Sequence, residues 1–218
     1  MKRTERHHLK EDEMVTGFAW FAEFYRKYQR EIMMAGVVVV IAAVIFAALL
    51  FVRAQNLSAQ SRSMGEVISL SGDLDKTPGN VAKLEALAGK GRAARLACLE
   101  LASYWAGKQD TAKALSYLGR VPSAPKDLLY YQAQELTAQI LVRSKEFDKA
   151  IAIYKKIQEE SPKTYPLDAA LYHLAEAYEA KGDKKGALDI YQKLQVDFAQ
   201  SYYGYQASQK VSKLSLQK

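Results

Sequence analysis

Residues 171–191 read LYHLAEAYEAKGDKKGALDIY, and this stretch decides the fold. Leu171, Leu174, Ala175 and Tyr178 recur at steps of three and four, the period of one helix face. Gly182 interrupts the pattern, and Ala187 and Tyr191 resume it four residues apart. The expected unit is two antiparallel helices joined by a tight turn. Two such helices approach closely only where the crossing point carries small side chains. Ala175 and Ala187, 12 residues apart, supply them, and the larger residues on either side fill the groove to the next unit.

The same arrangement occurs twice upstream. A middle copy has Gln134, Thr137, Ala138 and Leu141, then Ala150, Tyr154 and Pro162; a first copy has Cys98, Leu101, Ala102 and Trp105, then Ala114 and Leu118. The first-helix alanine precedes the second-helix alanine by 12 residues each time, and the copies are offset by 36 and 37. VPSAP (121–125) and SPKTYP (161–166) connect them. These positions resemble the tetratricopeptide pattern, two or three residues longer per copy than its usual period of about 34. One hairpin cannot bury its own apolar face, so the copies must stack. Residues 201–218, with Tyr205, Val211 and Leu214 at helical spacing, are expected to cap the last copy. Residues 81–91 (VAKLEALAGKG) fit either a degenerate repeat or a cap at the other end. Many of the 14 tyrosines then act as groove fillers, and Trp105 and Cys98 as core residues.

Upstream, IMMAGVVVVIAAVIFAALLFV (32–52) contains no charged, amide, proline or hydroxyl residue. A helix of this length spans about 30 Å, the thickness of a bilayer core. It is too long for the apolar region of a signal peptide. Seven Lys and Arg precede it within 1–31 and two follow within the next 20 residues, which places the N-terminus in the cytoplasm. Met14, Val15, Phe18, Phe21, Ala22 and Tyr25 form an amphipathic stripe, aromatic-rich and followed by Arg26, Lys27 and Arg30, expected to lie on the inner leaflet. His7 and His8 belong to a charged tail. Residues 53–70 are expected to continue the helix outward, and 71–80 (SGDLDKTPGN) to form a loop. The organisation is therefore a tail and interfacial helix (1–31), a transmembrane helix (32–52), a juxtamembrane helix and linker (53–91) and a repeat domain (92–218). The fold class is all-α: amphipathic helix, single span, and an exported α-solenoid of about three hairpins with a C-terminal capping helix.

Function is constrained mostly by exclusion. One cysteine allows no internal disulfide and no multi-cysteine metal site, and three histidines leave little for acid–base work. No phosphate-binding, dinucleotide, zinc-protease or nucleophile-elbow string occurs. No enzyme activity, cofactor or metal is expected. Of the chain's net charge of +7, +6 follows the span, with both signs interspersed. The expected partners are proteins and membrane lipid, not nucleic acid. The first helices of the hairpins should line a concave surface, offering Gln132, Glu135, Gln139 and Arg143 from the middle copy and Tyr172, His173, Glu176 and Glu179 from the last. That surface is a hydrogen-bonding groove with an aromatic ring, suited to an extended peptide or a partner helix.

The layout as a whole resembles the YfgM-type ancillary subunits of the SecYEG translocon. RHHLKEDEMV (6–15) is similar to the opening of such proteins, and RAARLACLELASYWAGKQDTAKALSYL (92–118) to their first repeat. The resemblance implies a bacterial inner-membrane protein whose exported domain contacts the translocon and periplasmic chaperones, and it brings no catalytic residues. A structural scaffold for envelope or cell-division complexes, formed by self-association as a homo-oligomer, is the alternative.

Overall fold

The computed structural model describes residues 26–89, 91 and 93–216, apart from the side chains of Ile32 and Gln60. The amphipathic stripe at Met14–Tyr25 and the pair His7 and His8 lie outside the described residues. Among those described there are nine helices and no strand: α1 (Gln29–Ser71), α2 (Gly79–Gly89), α3 (Ala94–Gly107), α4 (Thr111–Leu118), α5 (Leu128–Arg143), α6 (Phe147–Glu160), α7 (Leu167–Lys181), α8 (Lys184–Asp197) and α9 (Tyr202–Ser215). The chain divides into two units, up to Ala59 and from Gln60 onward.

In the first unit α1 is apolar on every face over residues 32–52, and its large side chains from Met33 to Val52 are exposed. It is the one helix among the described residues long and apolar enough to cross a membrane. As expected, it continues without a break to Ser71.

The second unit stacks three hairpins, α3–α4, α5–α6 and α7–α8, with α9 packed on α7 and α8. The alanine pattern sets this packing. Ala102, Ala114, Ala138, Ala150, Ala175 and Ala187 all have 0% exposure. Three cores run along the stack. Val67, Leu74 and Leu84 pack with Ala97, Cys98 and Leu101; Ala102, Ala114 and Leu118 pack with Ala133 and Ile140; the largest runs from Tyr130 through Tyr154, Leu174 and Tyr191 to Ala207. Trp105, Tyr117 and Val121 touch both of the first two. Residues 67–88 thus cover the open face of α3 and supply the N-terminal end of the stack.

The repeat period also governs the turns. Gln109, Lys145 and Gly182 have φ of 61°, 61° and 89°, at the same offsets of 36 and 37 as the alanines. At each, the following N–H closes back five residues, Asp110 to Trp105, Glu146 to Leu141 and Asp183 to Tyr178. This terminates the first helix with a left-handed residue, which only glycine adopts without steric cost. The residue after it starts the second helix. Asp110 and Asp183 accept from the backbone N–H of Lys113 and Gly186, whereas Glu146, one methylene longer, makes no such cap. The middle turn is therefore the weakest of the three. Replacing Lys145→Gly and Glu146→Asp together should raise stability by about 1–2 kcal/mol, from relief of the left-handed backbone and a new cap. The exposed pairing of Glu146 with Lys149 that would be disturbed contributes little. A urea midpoint unchanged or lowered in the double variant would contradict this account.

One expectation is corrected. Tyr205 does not face the last repeat; it is 62% exposed. Gly204 and Ala207 are the buried residues of α9, with Val211 and Leu214 partly buried against the same core. Two small residues bring α9 close to its neighbours, and this close approach, not the large ring, fixes which face turns inward. Tyr205 lies about 100° round the helix from Gly204.

Candidate functional site

The first helices α3, α5 and α7 are neighbours along the stack, and a cavity of about 320 Å³ opens between α5 and α7. Gln139, Val142 and Arg143 line it from α5, Tyr154 from α6, and His173, Glu176 and Ala177 from α7. A second cavity of about 350 Å³, between the first two hairpins, is lined by Ala106, Gln109, Thr111, Ile140, Arg143 and Ser144. Arg143, at the C-terminal end of α5, borders both.

His173 organises the first cavity. Its Nε2 lies 3.2 Å from Glu135 Oε1 and its Nδ1 3.0 Å from Glu176 Oε2. Glu176 is one turn along the same helix, and Glu135 comes across from α5. A neutral imidazole has one N–H and can satisfy only one of these carboxylates; the imidazolium satisfies both. The hydrogen bond to Glu176 raises the imidazole pKa above its usual 6.5, burial works against this, and the charges of Glu135 and Glu176 add to the rise. Glu135 is itself pushed up by burial, with His173 and Gln139 acting in the opposite direction. It also accepts from Gln139 Nε2 at 3.2 Å and from the Tyr165 hydroxyl. The rings of Tyr154, Tyr172 and Tyr203 lie 6.3, 6.0 and 6.0 Å from the imidazole. Burial raises the Tyr154 phenol, as do the Glu135 and Glu176 charges, so it stays protonated.

These shifts give a signed pH dependence. With a folded pKa above 6.5, His173 contributes stability that is full below the unfolded value and is lost as pH rises through the folded one. The raised Glu135 acts in the same direction at lower pH. The urea midpoint of the repeat unit should therefore fall between pH 6 and pH 8, and His173→Gln should remove most of that fall. A variant that keeps the full wild-type slope would exclude His173 as its origin.

Of the eight residues expected on the concave face, Gln139, Arg143, His173 and Glu176 line this cavity, and Glu135 stands behind them. Gln132 is half-buried on α5 and is not among the lining residues. Tyr172 turns toward α8 and α9, with its ring 5.6 Å from Tyr191 and 5.3 Å from Tyr203. Glu179 does not join His173 and Glu176. It accepts from the Tyr191 hydroxyl at 3.1 Å and from Lys210 Nζ at 2.8 Å, tying α7 to α8 and α9. Burial alone would raise the Glu179 carboxyl, but these donors and the Lys210 charge hold it below its usual value. Tyr154, Tyr165 and Tyr203 are site residues that the sequence did not single out. The groove-filler reading of the tyrosines covered Tyr154, and Tyr165 sits in a connector with no periodicity. Among the described residues no cluster of His, Cys, Asp and Glu could hold a metal ion.

This geometry is a cavity between stacked helical hairpins with hydrogen-bonding side chains in its lining. Residues 169–201, covering most of α7, α8 and the turn after it, match the tetratricopeptide repeat family. That segment is similar to a tetratricopeptide repeat. Its alanine spacing and left-handed turn recur in the two hairpins before it. Tetratricopeptide repeats are protein–protein interaction modules and generally not catalytic. No curated protein and no solved structure matches the chain.

Proposed function

We propose that this protein is a membrane-anchored adaptor. In this reading residues 32–52 cross the bacterial inner membrane, residues 1–31 stay in the cytoplasm on the inner leaflet, 53–91 link the span to the repeats, and 92–218 bind a protein partner on the periplasmic side. The observation that carries the reading is the cavity between α5 and α7 of the repeat stack, lined among others by Gln139, Arg143, His173 and Glu176. The exposed apolar stretch Met33–Val52 supports the anchor, and the upstream excess of Lys and Arg supports the orientation. The similarity in layout to YfgM-type subunits favours a translocon-associated role, with the translocon or a periplasmic chaperone as partner.

Crosslinking in intact membranes from a photoreactive residue at position 139 or 143, followed by mass spectrometry, tests the adaptor role. Translocon subunits or chaperones should be recovered. Recovery of only this chain would replace the adaptor with a self-associating scaffold. The orientation has its own test. A reporter active only outside the cytoplasm, fused after Lys218, should be active, and activity confined to a cytoplasmic reporter there would reverse the topology.

A further inference from the structure

The cluster at His173 has a charge pattern that points to a ligand. Two carboxylates, Glu135 and Glu176, flank one imidazole at 3.2 and 3.0 Å. The place between them calls for a cation, and in the free protein the imidazolium supplies it. Glu176 is the more accessible of the two, its side chain 44% exposed against 19% for Glu135, and it lines the cavity. The lining beside it includes Val142, Ala177 and Tyr154, the last two almost wholly buried, which gives a largely apolar wall for a flexible stem. A lysine buries its alkyl stem along apolar surface while its charged head stays at a polar mouth. From these observations, and resting on the proposed adaptor role, we infer that the cavity receives a lysine side chain from an extended segment of the partner protein, its ammonium group pairing with Glu176 in competition with protonated His173.

Charge balance fixes the consequences. When the ammonium pairs with Glu176, the imidazolium loses part of the negative field that held its proton, and the proton leaves to solvent. Ligand binding and His173 protonation then oppose each other, and by linkage the affinity must rise with pH. Every other ionisable group around the imidazole leaves that direction intact. Glu135 from α5 remains its acceptor. Burial raises the phenols of Tyr154 from α6, Tyr172 from α7 and Tyr203 from α9, so they stay protonated, and the Tyr165 hydroxyl from the connector donates to Glu135. Arg143, at the mouth of the same cavity, repels a cation. Its removal should therefore help a basic ligand, whereas it would be the chief anchor of an acidic one.

The test uses the full-length protein in detergent micelles and three fluorescein-labelled nonapeptides, Ser-Ala-Ala-Ser-Xaa-Ser-Ala-Ala-Ser, with Xaa lysine, norleucine or glutamate. Norleucine keeps the stem of lysine and lacks its charge. By fluorescence anisotropy the lysine peptide should bind at least about tenfold tighter than the other two, and at least about fivefold tighter at pH 8 than at pH 6. Glu176→Gln should abolish the preference, Arg143→Gln should increase it, and His173→Gln should remove the pH dependence. Equal binding of lysine and norleucine, preference for glutamate, or weaker lysine binding in Arg143→Gln would each overturn the inference while leaving the groove as an interaction surface. Binding of none of the peptides would overturn it too, and the adaptor role would then be decided separately by the crosslinking result.

Discussion

Gly204→Ala should destabilise the repeat unit by about 3 kcal/mol or more, although it adds a single methyl group. A Cβ built at Gly204 would lie 1.9 Å from the carbonyl oxygen of Phe198 and 2.7 Å from its carbon. Both are backbone atoms, so no side chain can swing aside. The turn between α8 and α9 would have to open, and with it the contact that covers the last hairpin. Ordinary overpacking costs about 1–3 kcal/mol, and a backbone clash belongs at or beyond the top of that range. Gly65→Ala is the matched control. That position lies within α1 with nothing in reach of an added Cβ, so alanine should stabilise by about 0.5–1 kcal/mol through helix propensity. Urea melts of a fragment containing residues 53–218 measure both. If the two variants shift the midpoint in the same direction, the close approach of α9 to Phe198 is wrong.

The second large effect is at the helix crossing. Ala187→Leu should cost about 2–3 kcal/mol, because the alanine is fully enclosed in the core shared by α7 and α8. Ala180→Leu should stay within about 0.5 kcal/mol, since Ala180 is exposed near the end of α7. Isolated amphipathic helices would show no such contrast. Equal midpoints for the two variants would remove the repeat register, and with it the groove built from α5 and α7.

The parts of this fold legible in the sequence were those that small residues impose. Six alanines at constant spacing predicted six enclosed crossing points, and all are enclosed. Even the middle copy, where Gln134 and Thr137 stand at positions expected to be apolar, keeps the register, with both half-buried. In α9, which packs on the last hairpin through Val211 and Leu214 as expected, Tyr205 alone departs, for the same physical reason that the repeats succeeded. Periodicity was assigned to the large residue Tyr205, while the small residues Gly204 and Ala207 set the contact.

The repeat offsets made part of the site legible, with Gln139 and Arg143 of α5 and His173 and Glu176 of α7 lining one cavity. His173 and Glu176, three apart, are brought together by helix geometry alone. Glu179 shares their spacing, but Lys210, 31 residues later, draws it elsewhere. Glu135 was expected on the same surface from the repeat offsets, whereas Tyr165 reaches the cluster from an aperiodic connector that gives no signal in a one-dimensional pattern.

The three turns differ in quality although they share one geometry, and the difference orders the kinetics of the stack. The last turn has both glycine at the left-handed position and an aspartate cap, the first has the cap alone, and the middle has neither. In a linear array each hairpin is stabilised by its own turn and by its immediate neighbours. Local opening should then be most frequent around residues 144–147, and amide hydrogens flanking that turn should exchange with deuterium fastest among the three. The α7–α8 hairpin should be the last to open and the first to re-form. Refolding would grow from it in both directions, toward α9 and back toward α5, so that the cavity around His173 is assembled on an already folded floor.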